Sequence, residues 1–333
     1  MSRTGQASTR PPLASGLKVP SSTHQHGRVT AAFGRHYEVA PLLTDADAPE
    51  SSEVDWLGAT LKCYPRGKRS VFACGDEVEI EATGSGQGVI TRLLPRKSLL
   101  WRSDAFREKL IASNLTQVVI VVATEPGFSD LLISRCIVAA ESQDIKSLIV
   151  LNKADLPDKL TPAARRLEVF ARLGYRIVEC SARENAAALR PYLADERSIL
   201  VGQSGMGKST LTNALVPQAK AATREISEAL DTGKHTTTFA RLYPLGANGW
   251  LIDSPGLQAF GLAHLAGEDL VEHFIEFRPF QGQCRFRDCQ HESEPGCALL
   301  AAVADGRIDR SRFEHYRLIK SEIQSAKKQS QGW

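Results

Sequence analysis

Short extended segments with alternating apolar and polar positions fill the first third of the chain. Arg28 to Phe33, Ala59 to Tyr64, Asp76 to Glu81 and Gly88 to Leu93 are divided by turns bearing Gly, Pro or Asp. Five short strands within about 80 residues fit an oligonucleotide-binding (OB-like) β-barrel, a count other small barrels share. The acidic stretch Asp45 to Glu53 reads as a solvated loop. After Leu115 the texture becomes apolar strands alternating with amphipathic helices, which predicts an α/β unit with a parallel sheet. Strands are expected at Gln117 to Ala123, Ser147 to Leu151, Arg176 to Cys180, Ser198 to Val201, Arg241 to Tyr243 and Trp250 to Ile252. Helices fit at Asp130 to Glu141, Pro162 to Leu173 and Lys208 to Leu215. Past about Leu270 the strands stop, and a charged helical stretch runs from Arg310 to Ala326. The expected organisation is a tail over 1–27, a barrel over 28–113, an α/β unit over 114–270 and a helical unit over 271–333.

The tail is rich in Ser, Thr, Pro and Gly without apolar periodicity, so disorder is expected there. Over the whole chain of 333 residues, 42% hydrophobic and 24% charged composition excludes a wholly disordered or fibrous protein. Apolar runs such as Val118 to Ala123 are too short to cross a bilayer, and no charged-then-apolar start resembles a secretory signal, so a cytoplasmic location is expected. Nothing suggests a dimer surface, and a monomer is the default. The net charge of +3 is weak, but Arg3, Arg10, Lys18, Arg28 and Arg35 lie in a stretch without acids from Met1 to Tyr37. That field favours a phosphate-rich surface or simply solvates a tail. Arg92, Arg96, Lys97, Arg102, Arg107 and Lys109 surround Trp101, a mixture suited either to nucleic acid or to a basic linker.

The chemistry begins with Gly202-Gln203-Ser204-Gly205-Met206-Gly207-Lys208-Ser209, a phosphate loop between a predicted strand and a helix that continues into Thr210. Its backbone N–H groups face phosphate oxygens, Lys208 reaches the β- and γ-phosphates, and Ser209 offers a hydroxyl to Mg²⁺. Asn152-Lys153-Ala154-Asp155 identifies the base. Asp155 can accept from guanine's N1–H and exocyclic amine, a donor pair that adenine lacks. Asn152 holds the loop and meets the purine edge, while the Lys153 stem covers the ring. Further on, Ser181-Ala182 follows a strand end and offers a backbone N–H to the guanine carbonyl. Asp253-Ser254-Pro255-Gly256 supplies a carboxylate for the Mg²⁺ shell and, at Gly256, an N–H for the γ-phosphate. Between them Gly233-Lys234-His235-Thr236-Thr237-Thr238 reads as a switch loop. Thr237 is the chosen Mg²⁺ ligand, with Thr236 and Thr238 equally spaced alternatives.

Leu257 stands where many GTPases carry a water-orienting Gln, so intrinsic hydrolysis should be slow. His235 is then either the residue that positions water or a polar switch residue without a catalytic part. Ordinary GTPases place the guanine motifs last; here they come first, which is a circular permutation. Of the seven cysteines, Cys63, Cys74, Cys136 and Cys180 read as buried thiols. Cys284, Cys289 and Cys297 crowd around His291, a closed four-ligand set suited to one structural Zn²⁺, with catalytic metal or redox chemistry as alternatives.

Across about residues 28–330 the chain resembles the ribosome small-subunit-dependent GTPases, the RsgA-like family. The resemblance is carried by the permuted order, by Gly27-Arg28-Val29 with Phe33-Gly34-Arg35-His36-Tyr37, by Leu94-Pro95-Arg96-Lys97, by Lys234-His235-Thr236-Thr237-Thr238 and by the Cys/His cluster. It implies an OB-like barrel, a circularly permuted phosphate-loop GTPase and a zinc-binding helical domain. It further implies GTP hydrolysis with Mg²⁺, stimulated by the small (30S) ribosomal subunit and its rRNA, in late maturation of that subunit.

Overall fold

Strand β3 (Leu61–Pro65) alternates buried and exposed positions, the period-two pattern of a sheet with one wet face. The computed structural model describes residues 25–42, 60–67, 72–103, 108–217, 219, 240–246, 248–254, 262, 265 and 269–331. In it β1 (Gln25–Ala32), β2 (Tyr37–Pro41), β3, β5 (Gln87–Leu93) and β4 (Glu77–Gly84) pair in that order, and β4 returns to β1. The closed barrel buries Val29, Tyr37, Val39, Cys63, Val78 and Ile90 in a core of its own. Strand β2, five residues long and ending in Pro41, is too short to show a period-two pattern in sequence. A further hairpin, β6 (Leu99–Ser103) with β7 (Glu108–Ser113), occupies the stretch that reads in sequence as a basic linker or RNA contact.

The central sheet orders β10 (Arg176–Glu179), β9 (Lys146–Asn152), β8 (Gln117–Ala123), β11 (Arg197–Val201) and β13 (Gly249–Asp253), all parallel. Every residue of β8 is buried, as expected of a central strand covered on both faces. Strand β12 (Arg241–Leu245) departs from the parallel expectation. It pairs antiparallel with β13, because a connection as short as 246–248 can only turn a strand back on itself. Helices α1 (Asp130–Glu141), α2 (Pro157–Arg172), α3 (Arg190–Leu193) and α4 (Lys208–Leu215) complete this unit. Ser129 caps α1 by accepting from the Leu132 N–H, and α2 starts on Pro157, whose fixed φ suits a first turn.

The barrel and the sheet are continuous through β1 and β12, where Ala31 sits opposite Arg241. Arg96, just past β5, donates to both oxygens of the fully buried Asp76, just before β4, at 2.7 and 2.6 Å. Helices α5 (Ala298–Ala304) and α6 (Arg310–Gln331) form the C-terminal unit. Its aromatic residues Phe274, Phe277, Phe313 and Tyr316 share one core with the central sheet rather than building their own. The anchor is Arg312, with no exposed surface, whose Nε donates to Glu276 at 2.6 Å and whose Nη1 donates to the Ser134 hydroxyl at 2.7 Å. Among the described residues no helix is long and apolar enough to cross a membrane.

Candidate nucleotide site and metal cluster

The guanine and phosphate motifs fall on loops at the carboxyl ends of β9, β11 and β13, with Ser181-Ala182 just past β10, along one edge of the sheet. The phosphate loop is wound tightly by glycine. A Cβ on Gly202, at φ 142°, would lie 2.2 Å from the Val121 carbonyl oxygen. One on Gly207, at φ 92°, would lie 2.3 Å from the Asn152 amide nitrogen. Both positions therefore require the residue they have.

Asn152 is the hub of the site. It is 1% exposed, its amide donates to the Met206 carbonyl at 2.8 Å, and its Oδ1 accepts from the Ala182 N–H at 2.9 Å. One side chain thus ties together three motifs far apart in sequence. The Ala182 N–H that the sequence offers to guanine is engaged here by Asn152, and the Ser181 N–H by Asn185. Asp155 is exposed beside them, and Ser209, Thr210, Ser204 and Gly205 are exposed at the mouth of the phosphate loop. Lys153 holds a left-handed φ of 61°, with its ammonium donating to the Glu125 carbonyl at 2.6 Å.

The Lys208 ammonium donates to the carbonyls of Gly202 and Gln203, at 2.7 and 2.8 Å. Burial lowers its pKa, and Asp253 offsets part of that shift. Burial likewise pushes the Asp253 carboxyl up to about 6, against the pull of Lys208. A shielded carboxylate near the loop that carries the Ser209 hydroxyl is the oxygen donor chemistry that Mg²⁺ takes alongside nucleotide phosphates. Ser254 is spent structurally, donating to the Leu200 carbonyl at 2.8 Å. His235, Thr236, Thr237, Thr238, Gly256 and Leu257 lie outside the described residues. Sequence reasoning missed the bracing role of the Gln203 side chain, whose Oε1 accepts from the Ser129 N–H at 3.0 Å and so ties the phosphate loop to the start of α1. No local pattern signals that contact.

In the C-terminal unit the donor atoms of Cys284, Cys289, His291 and Cys297 lie within 4.8 Å of one another. The His291 Nδ1 is 3.6, 3.5 and 3.3 Å from the three sulfurs, and Cys284 Sγ is 3.9 Å from Cys297 Sγ. Tetrahedral zinc with ordinary bond lengths places sulfur about 3.5 Å from nitrogen and about 3.8 Å from sulfur, so the cluster fits that ion. The Ala298 N–H donates to Cys284 Sγ at 3.3 Å, a contact that favours a thiolate. The other four cysteines are buried.

The RsgA GTPase family model matches residues 93–263. A protein named small ribosomal subunit biogenesis GTPase RsgA, from Paraburkholderia xenovorans (strain LB400), is 51% identical over 314 residues, covering 92% of this chain and 95% of its own. This chain belongs to the RsgA GTPase family. A relative of the same name from Nitrosospira multiformis is 52% identical over 296 residues, covering 89% of this chain and 90% of its own. YjeQ from Thermotoga maritima superposes with a TM-score of 0.66 at 29% identity, covering 90% of this chain and 98% of its own. YloQ, described as a circularly permuted GTPase, gives 0.65 at 26% identity, covering 91% and 96%. As an RsgA family member the chain is a GTP-hydrolysing enzyme, with the guanine motifs preceding the phosphate loop on an otherwise ordinary GTPase sheet.

Proposed function

We propose that this chain hydrolyses GTP in the service of small ribosomal subunit assembly, with turnover stimulated by the 30S subunit late in its maturation. The observation that carries this reading is the Asn152 hub, which fixes the guanine loop, phosphate loop and Ser181-Ala182 loop as one pocket. It sits in a chain about half identical, over nearly its whole length, to proteins named for that assembly.

Asp155 accepts the guanine donors, and Lys208 leaves the loop carbonyls for the β- and γ-phosphates. Ser209, Asp253 and Thr237 would hold Mg²⁺, which would supply positive charge to offset the negative charge developing on the phosphate oxygens. Gly256 contacts the γ-phosphate, and His235 orients the attacking water in place of the Gln that Leu257 displaces. The barrel and the basic N-terminal stretch meet rRNA. The protein acts as a cytoplasmic monomer.

Hydrolysis by the purified chain should rise at least tenfold with 30S subunits and remain unchanged with 50S subunits, with ATP not turned over. His235→Ala should lose that stimulation while still binding GDP. Turnover indifferent to 30S would remove the ribosomal reading, and a fully stimulated His235→Ala would remove the catalytic one.

The zinc cluster is structural in this reading, since four protein ligands leave no position for water. Chelation should release one zinc per chain and lower the thermal midpoint, and Cys289→Ser should reduce the bound zinc measured by elemental analysis. A metal-free chain with an unchanged midpoint would rule out a stabilising ion.

A further inference from the structure

A lateral row of residues crosses the joint between barrel and central sheet. Glu38 of β2 lies in register with Ala31 of β1, Ala31 with Arg241 of β12, and Arg241 with Asp253 of β13. Directly opposed residues of antiparallel strands project from the same face, so the acidic residues Glu38 and Asp253 stand on either side of Arg241 in this row. Ala31 is fully buried and carries only a methyl group, which lets Arg241 reach across it. Its Nη2 lies 3.0 Å from Glu38 Oε1, with the two side chains only 13% and 28% exposed. The guanidinium also stands 5.9 Å from the centre of the Phe33 ring.

Arg241 thus has two neighbours of opposite charge along the row and is engaged with the one in the barrel. Its Nε is buried without a hydrogen-bond partner among the described residues, so donor capacity remains. Asp253 is the carboxylate assigned to the Mg²⁺ shell, and a guanidinium seated on it would compete with the ion for the same oxygens. Shielding from water strengthens any such pairing, because an ion pair away from solvent is little screened.

We propose that Glu38, a barrel residue, is a positioning residue for the GTPase reaction: it holds Arg241 away from Asp253 and so keeps that carboxylate open to Mg²⁺. The inference rests on the assignment of Asp253 to Mg²⁺ made above. It gives the joint a chemical purpose, since the barrel then sets how readily the nucleotide site takes its metal.

The test measures release of a fluorescent GDP analogue from the full chain across a Mg²⁺ titration, together with thermal midpoints. Glu38→Gln should raise the Mg²⁺ concentration for half-maximal retention by about tenfold, the scale of one charge-assisted contact. Adding Arg241→Met should return it to near the wild-type value, although the double variant has lost the ion pair altogether. A purely structural pair predicts no such rescue, and a double variant as impaired as Glu38→Gln would overturn the proposal. An unchanged requirement in Glu38→Gln would overturn it too. If Glu38→Gln does not fold, Glu38→Asp, one methylene shorter, should give an intermediate requirement, and an unchanged one counts against the proposal. Asp253→Asn separates the two layers. A raised requirement there with none in the Glu38 variants refutes the inference alone, whereas an unchanged Asp253→Asn refutes the metal assignment beneath it.

Discussion

Arg312→Met should destabilise the folded chain by about 3–5 kcal/mol, read as a lower urea midpoint with the C-terminal unit loosening first. The guanidinium is fully buried between Glu276, itself 5% exposed, and the Ser134 hydroxyl of α1. It also lies 4.6 Å from the centre of the Phe274 ring, so the charge is balanced by an acid and an aromatic face. The Ser134 hydroxyl that accepts from Arg312 also lies 2.8 Å from His315 Nδ1, a hydrogen bond that either group can donate according to the imidazole tautomer. Burial lowers the His315 pKa, and the charge of Arg312 adds to that shift. Methionine fills similar volume but strands the Glu276 carboxylate in an apolar site, and most of the loss comes from that stranded charge. Adding Glu276→Leu should therefore recover most of the stability. A double variant no better than the single would show that the hydrogen bond to Ser134, rather than the ion pair, anchors the unit.

What was legible in the sequence is what local pattern encodes. The phosphate loop announces itself because glycine is required wherever the backbone must turn tightly against Val121 or Asn152. The Cys/His cluster is legible for a similar reason: three cysteines and a histidine close together in sequence can converge without help from the rest of the fold. Alternation revealed most barrel strands, but β2 is too short to show a period. The β6–β7 hairpin hid behind basic residues that look like a linker. Contacts between distant residues left no trace. The sequence cannot say that Asn152 spends its amide on Met206 and Ala182. Nor can it say that Arg312 finds Glu276, or that β12 joins the barrel to the sheet, since each depends on a register set only when the whole chain packs. Among the described residues the last strand ends at Asp253, and one core takes in residues on both sides of the boundary expected at 270.

Asp155→Asn should exchange the base preference of the enzyme rather than unfold it. The loop carrying Asp155 is braced independently: the Ala154 N–H donates to the Cys180 carbonyl at 3.1 Å, and the Thr124 hydroxyl donates to the Lys153 carbonyl at 3.0 Å. Asp155 itself is exposed, so the isosteric amide costs the fold little. A carboxylate accepts from both guanine donors, N1–H and the exocyclic amine, whereas an amide presents one acceptor oxygen and a donating NH₂ that opposes the amine. Losing two charge-assisted bonds worth about 1.5–3 kcal/mol each predicts a fall in GTP kcat/KM of about 10²–10⁴. Xanthosine triphosphate carries a carbonyl where guanine carries the amine, so the NH₂ introduced by the substitution can donate to it and turnover of that nucleotide should rise. Parallel hydrolysis assays with the two nucleotides decide the matter. An Asp155→Asn variant that still prefers GTP would mean that the base is read elsewhere, and the loops after β9 and β10 would then owe their proximity to folding alone.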